Sequence, residues 1–207
     1  MTETKGIPRL WLRRAFISFA LFLAVCVTLF FALPQLLIAP MKTAQADVIL
    51  HAAMDLHSKS DDYVVDLYRR GVAGKIICVS SQISWEVYPA DFARERLISL
   101  GVPAQDVMSL RLPLAPCDAM KLPLIADFVK SHGWKSVLWI GRPESSRYAG
   151  WLGRRFFEKE GIDVTASYTP SDREELAKSW WRTHWKVQRF VGTAMNISID
   201  FLYSECR

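Results

Sequence analysis

The chain has 207 residues, 51% hydrophobic and 23% charged, with a formal net charge of +5. Four of its cations, Lys5, Arg9, Arg13 and Arg14, fall before residue 15, so the remaining balance gives no basis for nucleic-acid binding. About 160 residues follow the apolar segment described next, enough for one α/β domain with a proper core and too few for two ordinary ones.

Ala15 to Leu33 runs nineteen residues without a charge, interrupted by only Ser18 and Thr28. At about 1.5 Å per residue such a helix covers roughly the 30 Å hydrocarbon core of a bilayer. Gln35 to Ala39 extend it beyond Pro34, where a kink is expected. Cations before the span and only Lys42 after it put the N-terminus in the cytoplasm by the positive-inside rule. Ala44-Gln45-Ala46 has the small-x-small form of a signal cleavage site, but the apolar run exceeds the roughly 7 to 15 residues of a signal h-region. The expected organisation is a cytoplasmic tail (1–14), an uncleaved anchor (15–39), a linker (40–45) and an extracytoplasmic domain (46–207).

Within the domain, strands and helices alternate. Asp47 to Ala52 reads as a strand. Asp61 to Arg70 reads as a helix carrying Val64, Leu67 and Tyr68, stopped by Gly71. Lys75 to Ser80 is the next strand. Pro89 opens a helix with Phe92, Leu97 and Leu100 on its apolar face, stopped by Gly101 before the strand Val107 to Leu110. Asp118 is placed to cap a helix carrying Leu124, Ile125, Phe128 and Val129, with Pro123 in its first turns and Gly133 at its end. Ser136 to Ile140 is the most apolar strand. Ser146 to Glu160 is a helix ending at Gly161, and Asp163 to Ser167 is a fifth strand. The chain closes on one long helix from Arg173 to about Tyr203, in which Trp180, Trp181 and Trp185 alternate with basic residues. Such a mixture suits either a membrane interface or the groove between sheet and helix. Short apolar strands alternating with amphipathic helices predict an α/β fold with a doubly wound, mostly parallel sheet. Cys26 falls in the anchor and Cys78 in a strand; Cys117 and Cys206 could pair in an oxidising compartment, but they are far apart in sequence and nothing fixes their geometry, so unpaired thiols are the first expectation.

Ligands of such sheets bind beyond the carboxyl ends of the strands. Four clusters lie there: His51 and Asp55; Ser80, Ser81, Gln82 and Glu86; Arg111, Cys117 and Asp118; and Arg142, Glu144, Ser145, Ser146 and Arg147. In the last, two arginines beside a helix N-terminus suit a phosphate or carboxylate, with Ser80, Ser145 and Ser146 as further donors. The competing reading has a serine capping the helix and both arginines pairing with Glu144. His51, Asp55 and Asp118 are the weak acid/base candidates. No Walker A, dinucleotide fingerprint, zinc-protease motif or C-x-x-C occurs, so neither a metal nor a cofactor is expected.

The series Ala46-Asp47-Val48-Ile49-Leu50, Asp66-Leu67-Tyr68-Arg69-Arg70-Gly71, Lys75-Ile76-Ile77-Cys78-Val79-Ser80 and Gly101-Val102-Pro103 behind a membrane anchor resembles the ElyC/SanA/YdcF-like family of bacterial envelope proteins. The strand Ser136 to Ile140 and Arg147 continue the resemblance, which covers residues 46 to 207. It implies a Rossmann-like domain outside the inner membrane, associated with envelope or cell-surface polymer biogenesis. The chain departs from the family pattern in His51-Ala52-Ala53 and Ser80-Ser81-Gln82, where glycines would let a ligand approach the backbone. Three readings follow: a protein that binds an anionic, phosphorylated or lipid-linked envelope precursor; a non-catalytic domain that docks an envelope protein; and a hydrolase or transferase acting on a phosphorylated lipid or sugar.

Overall fold

The computed structural model describes residues 9–53, 59–115 and 117–202. Helix α1 (Arg9–Leu37) contains Pro34, and its stretch Arg13–Leu37 is long and apolar enough to cross a membrane. The hydroxyl of Thr28 donates to the carbonyl oxygen of Ala24 at 2.8 Å, so this polar group is satisfied within the helix. This helix and the domain from Leu37 onward are separate compact units.

The domain is built on five strands, β1 (Val48–Ala52), β2 (Lys75–Ser81), β3 (Val107–Leu112), β4 (Ser136–Gly141) and β5 (Asp163–Tyr168), in the order β3-β2-β1-β4-β5. Every neighbouring pair is parallel, so the fold is α/β with an all-parallel, Rossmann-like sheet. The helices between strands are α2 (Lys59–Arg69), α3 (Pro89–Ser99), α4 (Leu122–Ser131) and α5 (Ser146–Phe157). Strand alternation sorts the core into two faces. Val48, Leu50, Ile77, Val79 and Val137 pack with residues of α4 and α5, and Ile49, Ile76, Cys78, Leu138 and Ile140 pack with α2 and α3.

The predicted glycine stops hold: Gly71, Gly101, Gly133 and Gly161 all adopt positive φ, between 69° and 96°, in the turns that return each helix to the sheet. Asp47 explains the start of β1. Its carboxylate accepts the amides of Lys135 (2.7 Å) and Ser136 (2.9 Å), and these bonds, the Lys135 amide first, hold its pKa below the usual carboxylate value.

Three expectations are corrected. The closing helix is broken into α6 (Pro170–Ser179), a 3-10 turn (Trp180–Arg182) and α7 (His184–Leu202). The break follows from burial of Trp180, 1% exposed, whose ring meets Phe190 at 5.0 Å, while Trp181 and Trp185 are each 40% exposed. Phe92 and Leu124 face outward; the buried residues of their helices are Pro89, Ala90, Ala93 and Leu97 in α3 and Leu122, Ile125, Ala126 and Val129 in α4. Cys117 is disulfide-bonded, whereas Cys26 and Cys78 are free; Cys206 lies outside the described residues. Burial, then the Asp61 charge, pushes the Cys78 thiol well above its ordinary pKa, which makes it unreactive.

Candidate functional site

The strand order makes a topological switch between β1 and β4, because the chain steps outward from β1 to β2 and β3 and then returns to the other side of β1. A cavity of about 230 Å³ lies at this carboxyl edge. Its floor is apolar, with Val79, Leu112, Leu122, Ile125, Trp139 and Leu152. Its upper wall is polar and comes from the strand ends, the start of α5 and, in Thr193 and Asn196, α7. Ala52 and Ala53 line the cavity, and His51 does not.

The predicted residues divide. Ser80, Asp118, Arg142, Ser145 and Ser146 line the cavity, and so do Ser81 and Gln82; Arg147 is outside the lining. Ser80 is 7% exposed, and its hydroxyl oxygen accepts the Ala90 amide at 2.9 Å, satisfying one of the open donors at the start of α3. Ser145 makes no cap; its hydroxyl donates to the Arg142 carbonyl at 3.1 Å. The hydroxyl of Ser146 donates to the Pro143 carbonyl at 2.6 Å and accepts the Ala39 amide at 2.9 Å. Arg147 donates to the Ile38 carbonyl at 3.3 Å.

Glu144 organises the mouth. Its carboxylate is fully buried and receives Arg189 of α7 through two bonds, Nε to Oε1 at 2.6 Å and Nη2 to Oε2 at 3.1 Å, with the Arg142 Nε at 3.6 Å. This paired fork fastens α7 beside the cavity. Arg142 and Lys121 are the cations of the lining, and Lys121 Nζ lies 3.0 Å from Asp118 Oδ1.

Two lining hydroxyls are conspicuous. Tyr148 (8% exposed) and Ser167 (1% exposed) have buried oxygen atoms without a hydrogen-bond partner. Leaving such a group unpaired costs about 1–3 kcal/mol. Neither was singled out in the sequence, where Tyr148 reads as helix core and Ser167 as a strand end.

The acid/base candidates do not assemble. His51, 1% exposed, faces α2 and gives its Nε2 to Asp61 at 2.8 Å, and Arg96 lies 3.4 Å from the other Asp61 oxygen. Asp55 falls outside the described residues. Among the described lining residues Asp118 is the one acidic group, and none is a histidine. Among the described residues no group of three or more His, Cys, Asp or Glu side chains is arranged to hold a metal.

Asp200 on α7 is 2% exposed with both carboxyl oxygens unpaired. Burial first, and the Asp118 charge second, raise its pKa to about 6, with Lys121 opposing. A carboxyl raised in the folded state contributes most below its unfolded pKa, near 3.9, and the contribution is lost as pH climbs through about 6. Asp200→Asn is therefore expected to match the parent at pH 4 and to exceed it at pH 8 by about 2 kcal/mol, read by denaturant melts. An equal gain at both pH values would contradict this assignment.

No family model and no curated protein matches this chain. Among solved structures it is similar to the C-terminal catalytic domain of ISC1926 TnpA, an IS607-like serine recombinase, at 14% identity over 73% of this chain and 97% of that one, with a TM-score of 0.24. That likeness is too slight to bear on function.

Proposed function

We propose that this chain is an inner-membrane protein of envelope or cell-surface polymer biogenesis, similar to the ElyC/SanA/YdcF-like proteins, whose extracytoplasmic domain binds an anionic amphiphile in its carboxyl-edge cavity. The ligand class is a phosphorylated envelope precursor. The observation that carries the reading is the pair of buried, unpartnered hydroxyls, Tyr148 and Ser167, in a cavity with an apolar floor and Arg142 and Lys121 on its wall. Hydroxyl and guanidinium donors suit phosphate oxygens, and the apolar floor suits a hydrocarbon or isoprenoid portion. The extracytoplasmic placement is supported by Arg9, Arg13 and Arg14 at the start of α1 and by the disulfide at Cys117, a bond that persists in oxidising compartments.

The test is thermal melting of the full chain in lipid nanodiscs with butyl phosphate, a soluble stand-in carrying both chemistries. At a hundred times its dissociation constant it should stabilise the domain by about 2.7 kcal/mol. The double variant Tyr148→Phe/Ser167→Ala should fold and lose more than half of that shift. A full shift in the double variant would overturn the assignment of these hydroxyls.

A further inference from the structure

We infer that the carboxyl edge of the sheet is a membrane-contact surface, with Ile83, Trp85 and Leu114 seated in the interfacial layer of a lipid bilayer. In a parallel sheet every loop that follows a strand emerges at the same edge. The loop after β2 carries Ile83, 59% exposed, and Trp85, 88% exposed; the segment after β3 carries Leu114, 74% exposed. At the opposite edge, in the turns around Gly71, Gly101, Gly133 and Gly161, no large exposed hydrophobic residue occurs among the described residues. Between the two sets of loops, the exposed apolar side chains therefore fall at the carboxyl edge, while others, such as Met195 and Leu202, lie on α7. Tryptophan at such exposure is characteristic of the membrane interface, where its amphipathic ring is favoured.

The loop is built to present this side chain. The Ile83 amide donates to the Val87 carbonyl and the Val87 amide to the Ser84 carbonyl, each at 3.0 Å. Glu86 closes the turn at φ 53°, a left-handed conformation that costs a non-glycine residue free energy. A closed turn that holds Trp85 out of its own core, with a strained residue next to it, is a poor arrangement for water and a suitable one for a lipid surface.

The occupant is identified by the path of the chain. Ala39 is fixed to this same edge by its amide on Ser146 and by the Tyr168 hydroxyl, which donates to the Ala39 carbonyl at 2.8 Å. Helix α1 ends at Leu37, and two residues span at most about 7 Å. The chain thus leaves the domain for its apolar helix at the edge that carries Trp85 and Leu114. The cavity opens at this edge too, so a lipid-borne ligand reaches it without crossing water. The inference rests on α1 spanning a bilayer, and the test separates the two claims.

The experiment places nitroxide labels on the full chain in nanodiscs and compares collisions with oxygen, which concentrates in lipid, against a water-soluble nickel chelate. The native Cys26 reports on α1. Trp85→Cys, Leu114→Cys and, at the opposite edge, Lys159→Cys are labelled in a Cys26→Ser parent whose own signal is subtracted. Positions 85 and 114 are expected to favour oxygen over nickel several-fold relative to position 159. A nickel-accessible label at position 85, equal to that at 159, overturns the inference when Cys26 reads deep in lipid. A water-exposed Cys26 overturns the span itself, and the inference with it. Leu114→Cys reads the same surface should the change at Trp85 disturb its loop.

Discussion

Glu144→Ala is expected to lower the stability of the domain by about 3 kcal/mol, the scale seen when one member of a buried ion pair is removed. The carboxylate is fully buried, and among the described residues Arg189 and Arg142 compensate its charge. Deleting it leaves Arg189, 23% exposed, without its two short bonds. Because that fork fastens α7, and α7 supplies Thr193 and Asn196 to the cavity, the loss should also weaken ligand binding at temperatures well below the melt. Glu144→Leu/Arg189→Met removes both charges together and should be much less costly than Glu144→Ala, since an apolar pair of similar volume avoids the uncompensated charge. Denaturant unfolding of the three proteins measures this. A change below about 0.5 kcal/mol for Glu144→Ala would place the pair among ordinary surface bridges.

Asp61→Ala should be nearly as severe, about 3 kcal/mol. Asp61 is 2% exposed and accepts the only hydrogen bond given to the buried His51 ring, whose Nδ1 already lacks a partner. Removing the carboxylate strips the imidazole of its remaining bond, leaves a void between β1 and α2, and releases Arg96. His51→Leu in the same protein should recover much of the loss, because the orphaned ring nitrogens go with it. Neither change should alter ligand affinity, since His51 and Asp61 do not line the cavity. An Asp61→Ala protein that keeps its stability but loses ligand would return this pair to the active chemistry of the molecule.

Much of the fold was legible because local signals agreed with the global one. Glycines placed between a helical run and an apolar strand marked four turns, and each proved to need positive φ. The break at Trp180 was not legible: the residues around it are compatible with a continuous helix, and the chain turns only because that indole is buried against Phe190. Phe92 and Leu124 misled for a related reason, since short helices with several apolar positions leave the phase of the buried face open, and alanines took it in α3.

The site was legible at the level of the sheet edge and not of the side chain. Topology alone places Ser80, Asp118, Arg142 and Ser146 at the carboxyl ends, and they do line the cavity. Direction is a finer matter. His51 shares strand parity with Ile49, which commits it to the α2 and α3 face. Arg147 and Tyr148 are neighbours on α5, yet the helical rotation between them turns one toward Ile38 and the other into the cavity. Ser167 gave no signal, because an unpartnered hydroxyl is a property of its surroundings.

If one cavity takes both an anionic head and an apolar tail, calorimetric titration of the full chain in nanodiscs with butyl phosphate, butanol and inorganic phosphate separates the two parts. Butyl phosphate should bind at least about tenfold more tightly than either fragment, a difference of about 1.4 kcal/mol. Arg142→Ala should erase that advantage over butanol while leaving butanol unchanged. Equal affinity for butyl phosphate and butanol in the parent protein, or no heat of binding with any of the three, would show that the cavity does not hold an anionic amphiphile.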